Sequence, residues 1–379
     1  MKTDPYRIIV WGPGAVGKAG LRELVKRPEF EIVAVLGYSP SKIGKDVGDL
    51  IGHAPIGVKV TDDKAAIFAM EADCVMYTGT WPIDGESMED DLIRILESGK
   101  NIVTAASHHY PQFHDKAYMD RLEAACRKGN SSIHGSGENP GFWFERVALT
   151  LTGLCTEVEH LKLEEFVDVG SGGTSPEVLS AGGFNMTVEQ ASAPGPANRV
   201  WETYYFVETL TMVSQALFNR RPDRIERTST FHVSESGIEL SQAKGDLVDW
   251  TIEKGKVGAI THSMTAYLDG KPRLEIDVNW YLKRENAPFP VKDDHYWRIR
   301  LEGKPVSLDC EFSAFATLSG NHLTHPGDPT PMTWYITVMP LIQAIPIVCA
   351  HEPGVVLPSV FAHTVPDFRL LEGRSSVVG

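Results

Sequence analysis

Tyr6-Arg7-Ile8-Ile9-Val10-Trp11 runs directly into Gly12-Pro13-Gly14-Ala15-Val16-Gly17. The next segment, Lys18 to Glu29, carries Leu21, Leu24 and Val25 at helical spacing from Val16. Glu31 to Leu36 (EIVAVL) then reads as a second strand. Strand, glycine turn, helix and strand in close succession make a βαβ unit. In that context the glycines have separate tasks. Gly12 permits a tight turn, Gly14 lets a pyrophosphate approach the backbone, and Gly17 lets the helix pack against the strand. Amides at the helix N-terminus hold the phosphates. Gly12, Gly14, Ala15, Val16 and Gly17 are therefore expected to bind a dinucleotide. The second strand ends in Gly37-Tyr38-Ser39-Pro40-Ser41-Lys42, with no carboxylate before Asp46. An acidic residue there would hold the ribose hydroxyl of NAD and repel the extra phosphate of NADP. Tyr38, Ser39, Ser41 and Lys42 offer hydroxyls and a cation instead, which favours NADP (NADPH) with NAD possible.

The alternation continues outward. Cys74–Thr78, Asn101–Thr104 and Ser131–His134 read as strands. Ser87–Ser98 reads as a helix with a capping-box start and Gly99 as its stop. Asp115–Lys128 reads as another, closed by Gly129. After about residue 155 the pattern becomes β-rich, at 157–169, 225–235, 257–268, 272–283, 295–301 and 306–315. A helix is expected near 201–217 and another at 333–348, and 170–196 reads as a long functional loop. The expected fold class is α/β: an N-terminal Rossmann domain with a doubly wound parallel sheet over 1–150, followed by an α+β domain with an open, largely antiparallel sheet over 151–330. Residues 331–379 form a helix and tail expected to pack back on the Rossmann domain.

The 379 residues carry a formal net charge of −14 and no long basic run, so nucleic acid and anionic membrane are not expected partners. No uninterrupted apolar run reaches the ~18 residues of a membrane span, and no signal-peptide core precedes the first strand. Five scattered cysteines without ligand spacing suit reduced thiols in the cytoplasm. His322, His325 and Asp328 resemble a metal cluster only on paper, because proline and glycine separate them, and no metal is expected.

The opening segment resembles the dihydrodipicolinate reductase-like proteins. Three later stretches point to their 2,4-diaminopentanoate dehydrogenase and native amine dehydrogenase branch. These are Asn101–Thr104 leading to Tyr110-Pro111, then Gly135-Ser136-Gly137-Glu138-Asn139-Pro140-Gly141-Phe142, and the tail from Ala344-Ile345-Pro346 to Pro353-Gly354. The resemblance implies a homodimer and reversible hydride transfer between NAD(P) and a C=N or C=O carbon of a small molecule. It places Asn139 at the nicotinamide end and the loop after Thr78, with Gly79, along the same cleft. Two departures stand out. The His-His-x-x-x-Lys stretch of true dihydrodipicolinate reductases is replaced by Glu164-Glu165-Phe166-Val167-Asp168-Val169. The glutamate that amine dehydrogenases carry after the Asn101–Thr104 strand is absent from Ala105-Ala106-Ser107-His108-His109.

Hydride chemistry also needs a group that protonates or polarises the heteroatom. His108, His109 and Tyr110 lie beyond the carboxyl end of a parallel strand, where open α/β sheets bind ligands. Glu138 is the further candidate; its alternative role is to cap the helix expected near Gly141. With no carboxylate after Thr104, reduction of C=O or of a preformed C=N ranks ahead of reductive amination. Glu138 is the route by which a relocated carboxylate restores the amine reaction. A phosphorylating semialdehyde dehydrogenase is disfavoured because neither Cys126 nor Cys155 stands where a nucleophile is needed. A non-catalytic NADPH-binding sensor is the third alternative.

Overall fold

The computed structural model describes residues 4–79, 86–106, 108–170, 179–180, 182–193, 205–240, 250–292, 295–314, 330 and 332–358. Ser107, Trp201, Tyr204, His322, His325, Asp328, residues 171–178, 181 and 194–196 of the 170–196 stretch, and the side chains of Ser87 and Tyr205 lie outside the described residues.

The first sheet has seven parallel strands in the order β15-β6-β5-β4-β1-β2-β3. They are β1 (Tyr6–Trp11), β2 (Phe30–Leu36), β3 (Val60–Thr61), β4 (Cys74–Tyr77), β5 (Asn101–Thr104), β6 (Ser132–Gly135) and β15 (Gly354–Val355). Strand β1 shows why the sheet is covered on both faces. Ile8 and Val10 enter one apolar cluster and Ile9 and Trp11 the other. A run apolar at every position suits only a strand buried on both sides. Helix α1 (Ala15–Leu24) and the helix Met332–Ala350 cover the first face. Helices α4 (Glu86–Glu97) and α5 (Lys116–Gly129) cover the second, while α2 (Val47–Ile51) and α3 (Lys64–Ala69) are short.

Helix α5 starts on Asp115, whose carboxylate accepts from the Tyr118 amide at 2.8 Å. Its left-handed terminal residue is Asn130 (φ 50°) rather than Gly129, which is expected from the sequence to close it. Gly129 is needed for another reason: a Cβ there would lie 1.8 Å from the Leu96 carbonyl oxygen. The helix Met332–Ala350 has 19 residues and a mean hydropathy of 1.6, long and apolar enough by composition to cross a bilayer. Here Val338, Leu341, Ile342 and Ile345 bury that apolar surface against Leu21, Leu24 and Val103. Each such side chain contributes about 2 kcal/mol.

The second sheet is mixed, in the order β14-β13-β7-β12-β11-β8. Its strands are β7 (Glu157–Asp168), β8 (Arg224–Val233), β11 (Val257–Leu268), β12 (Lys271–Tyr281), β13 (His295–Lys304) and β14 (Leu308–Ser313), beside a separate hairpin of β9 (Ile238–Leu240) and β10 (Trp250–Ile252). All pairs are antiparallel except β7 with β12. Along β7 the inward positions are Leu161, Leu163, Glu165 and Val167, so one carboxylate takes a place patterned for an aliphatic side chain. The helix Tyr205–Phe218 packs on this inner face through Phe206, Leu210 and Val213.

Candidate active site

The glycine turn fits its expected task. Gly12 has φ +99°, and a Cβ on it would meet Gly79 at 2.6 Å. A Cβ on Gly17 would lie 2.2 Å from the Gly12 carbonyl oxygen. At Gly14 a Cβ meets nothing within 4 Å. Two glycines are thus required by the protein's own packing, whereas the third borders open space, as a backbone that must let a ligand approach would. Gly14 is the N-cap of α1 and no side chain caps it, which leaves the amides of Ala15, Val16 and Gly17 for an anion. Thr78 braces the turn: its amide donates to the Trp11 carbonyl at 2.8 Å and its hydroxyl to that of Gly12 at 2.9 Å.

Beyond β2, the hydroxyls of Ser39 and Ser41 are 2.9 Å apart. Lys42 Nζ donates to the Pro13 carbonyl at 2.9 Å, so the cation is fastened to the glycine turn itself. Tyr38 is exposed, with the Lys64 ammonium 5.6 Å from its ring centroid.

Two loops at the carboxyl ends of β5 and β6 gather buried polar groups. After β5, His108 adopts φ +68°, stacks on His114 at 5.6 Å between centroids, and shares a hydrogen bond of 2.5 Å between Nε2 and the Tyr118 hydroxyl. His109 is buried, and its Nε2 lacks a partner. Tyr110 donates its amide to Glu208 Oε2 at 2.8 Å, and His114 Nε2 meets Glu208 Oε1 at 3.1 Å. Glu208 comes from the helix Tyr205–Phe218, so a carboxylate reaches the loop that has none of its own. Burial opposes its charge, but the His114 hydrogen bond and the neighbouring imidazoles hold its carboxyl below the usual range.

After β6, the chain turns through a cis Asn139–Pro140 bond into a π-helical turn, Trp143–Ala148, a form frequent at functional sites. Glu138 does not cap this turn with its carboxylate. Its backbone carbonyl accepts from the amides of Phe142 and Trp143 at 3.2 and 3.1 Å, while its side-chain Oε2 is buried without a partner. Burial and the nearby Glu165 push the Glu138 carboxyl well above the usual carboxylate range. Asn139 Nδ2 donates to Glu165 Oε2 at 2.6 Å. On the neighbouring turn, Glu145 accepts from the Thr209 hydroxyl at 2.5 Å, and Arg146 donates to the Ser136 hydroxyl at 3.0 Å.

The fold therefore brings His109, Tyr110, Glu138 and Asn139 to one end of the first sheet, and adds Glu145, Glu165 and Glu208, which the sequence reading passes over. Glu165 has a legible signal, its inward phase on β7. Glu208 has none, because its partners lie 98 and 94 residues away in the chain.

Burial also holds several imidazoles neutral. His108 and His134 are pushed down to about 3 and His262 to about 4, each by desolvation, and His109 is lowered from the usual 6.5 by the same cause. In the unfolded chain these rings take up protons below about pH 6.5 that the buried rings refuse. Stability is therefore expected to fall with pH between about 6.5 and 4, by roughly 1 kcal/mol per pH unit for each ring. Urea unfolding at a series of pH values across that window measures it; a flat profile contradicts the neutral, buried rings.

Residues 6–79 match the family model described as dihydrodipicolinate reductase, N-terminus. An amine dehydrogenase of Streptomyces virginiae is 26% identical over 359 residues, covering 91% of this chain and 93% of the relative. A 2,4-diaminopentanoate dehydrogenase of Acetoanaerobium sticklandii is 22% identical over 299 residues, covering 76% and 80%. Among solved structures, an amine dehydrogenase from Mycobacterium smegmatis aligns with a TM-score of 0.68 at 18% identity, over 93% of this chain and 95% of that one. The resemblance read from the sequence is borne out by the family model and these relatives, and the α/β fold class by that shared fold.

Proposed function

We propose, from this kinship and from the carboxyl group after β6, that the chain is an NAD(P)H-dependent dehydrogenase interconverting a small carbonyl compound and the corresponding amine. Glu138 carries the reading. Its carboxyl oxygen Oε2 is buried without a partner, and the residue stands beside Asn139, which the resemblance assigns to the nicotinamide end. The sequence ranks plain reduction ahead of amination because no carboxylate follows Thr104. Carboxylates from elsewhere in the chain support amination all the same: Glu208 meets the loop after β5 at Tyr110 and His114, and Glu165 meets Asn139 in the loop after β6.

The open space at Gly14 fits a pyrophosphate, so Gly12, Gly14, Ala15, Val16 and Gly17 would hold the cofactor, with Thr78 and Gly79 behind them. NAD(P)H, when bound, supplies the hydride. Ammonia adds to the carbonyl carbon to give a carbinolamine. Glu138 in its acid form gives its proton to the hydroxyl, which leaves as water, and the resulting carboxylate faces the iminium and lowers its energy. His108 and His109 are neutral at pH 7, so they serve as hydrogen-bonding groups rather than acids. His109 Nε2 accepts an N–H of the incoming ammonia, and Tyr110 is held beside it by Glu208. Residues 1–150 form the cofactor domain, 151–330 the substrate and dimerisation domain, and 331–379 a returning tail, in a cytoplasmic homodimer.

The test is cofactor oxidation with a panel of aldehydes and ketones, with and without ammonium, and product identification. Amine product that requires ammonium supports the reading; alcohol product regardless of ammonium overturns it. NADP is the preferred cofactor in this proposal, with Lys42 meeting the ribose phosphate from its anchor on Pro13. Lys42→Ala is expected to weaken NADPH more than NADH by about 1.5 to 3 kcal/mol, the worth of a hydrogen bond to a charged group. Fluorescence titration with both cofactors checks it; equal losses would assign Lys42 to the turn alone.

A further inference from the structure

Glu165 has an arrangement the reaction scheme above does not use. Its carboxyl is buried and accepts three hydrogen bonds, from Asn139 Nδ2 at 2.6 Å, Trp280 Nε1 at 2.8 Å and Trp297 Nε1 at 3.2 Å. All three partners are pure donors in this arrangement. An indole N–H cannot accept, and the Asn139 amide nitrogen cannot either. A protonated carboxyl would point its O–H at one of them, so the geometry suits the anion: burial pushes the Glu165 carboxyl above its usual range, and the three hydrogen bonds pull against that shift. Glu138 presents the opposite case: a buried carboxyl oxygen with no donor at all. Two carboxyls that share one site do not both ionise, and the one without donors keeps the proton. Other charged groups belong to neighbouring elements: His109 follows β5, and Glu145 and Arg146 lie on the π-helical turn. Among these, Glu165 is the group that acts on Glu138.

We infer that Glu165 is a positioning residue: a fixed anion, clamped by Asn139, Trp280 and Trp297, that keeps the proton on Glu138. The same clamp orients Asn139. With Nδ2 committed to Glu165, Oδ1 faces the other way, buried and without a partner, and is available to an N–H donor of substrate or cofactor. The inference rests on the proposed role of Glu138, but the proton it describes is measurable without any substrate.

The experiment is an infrared titration of the full chain, following the C=O stretch of protonated carboxyls in protein labelled with ¹³C-glutamate. The wild type is expected to show such a band from Glu138 persisting above the usual carboxylate range. Glu138→Gln should abolish it. Glu165→Gln should move its midpoint down by about one pH unit or more, because the like charge is gone. With an active substrate in hand, the alkaline limb of kcat/KM should shift by the same amount, a change that loss of packing alone would not produce. If Glu165→Gln does not fold, Trp280→Phe carries the test. Removing one donor from Glu165 should raise the lower of the pair's two titration steps and leave the upper in place. A band that survives in Glu138→Gln, or a midpoint unmoved in Glu165→Gln, overturns the inference. Loss of the band in Glu138→Gln without any amine-forming activity in the wild type would instead refute the proposed reaction and leave the carboxyl pair standing.

Discussion

Glu138→Gln is expected to lower kcat for amine formation by about 10²- to 10⁴-fold, the usual worth of a positioned general acid, while NADPH binds as in the wild type. The amide keeps the shape of the side chain and removes the proton that must reach the leaving hydroxyl. Because Glu138 Oε2 has no partner, the substitution breaks no hydrogen bond at that atom. Stability should be unchanged or higher. A carboxyl whose folded pKa is raised makes its favourable contribution below its unfolded pKa, and that contribution is lost as pH rises through the folded value. The variant lacks this liability, so its advantage over the wild type should grow above about pH 4.5. Steady-state kinetics, cofactor titration and thermal melts across pH give the three readouts. Retained turnover would move the acid elsewhere, with Tyr110 the next group to test.

Gly14→Val is expected to weaken NADPH by on the order of 100-fold, about 2.8 kcal/mol, with a melting temperature close to that of the wild type. A side chain there enters open space, so the folded chain tolerates it and only the pyrophosphate is displaced. Gly17→Val makes the contrast. Its Cβ would press on the Gly12 carbonyl oxygen at 2.2 Å, so it should lose cofactor binding and stability together. Isothermal titration beside calorimetric melts separates the two. A Gly14→Val protein that binds NADPH normally would remove the glycine turn from the cofactor site.

What was legible in the sequence was local. The βαβ start is written in consecutive residues: an apolar run, a glycine turn, and a helix with Leu21 and Leu24 on its buried side. The strands of the second sheet announce themselves by alternation, as β11 and β12 do around the Asp269-Gly270 turn. Pairing between distant strands does not. The parallel match of β7 with β12 joins Leu161 to Leu274, and no pattern within either strand sets it. The site divides along the same line. Glycines, His109 and Glu138 sit at the ends of strands the period reveals. Glu208 reaches Tyr110 only once the second half of the chain folds over the first. Glu165 lies between these cases, since the phase Leu161, Leu163, Glu165, Val167 marks a carboxylate turned into an apolar layer, which is costly unless it is hydrogen-bonded. Lys42 shows a further limit: composition identifies the cation, but only the fold ties it to Pro13.

The most direct test of the account uses two labels at once. The enzyme is supplied with NADPH carrying deuterium at the transferred position, ¹⁵N-ammonium and a carbonyl substrate found active in the panel, and the product is analysed by mass spectrometry. The account predicts an amine with deuterium on the former carbonyl carbon and ¹⁵N bonded to that same carbon, formed by the wild type and about 100-fold or more slower by Glu138→Gln. A deuterated alcohol free of ¹⁵N, produced equally by both proteins, would contradict it.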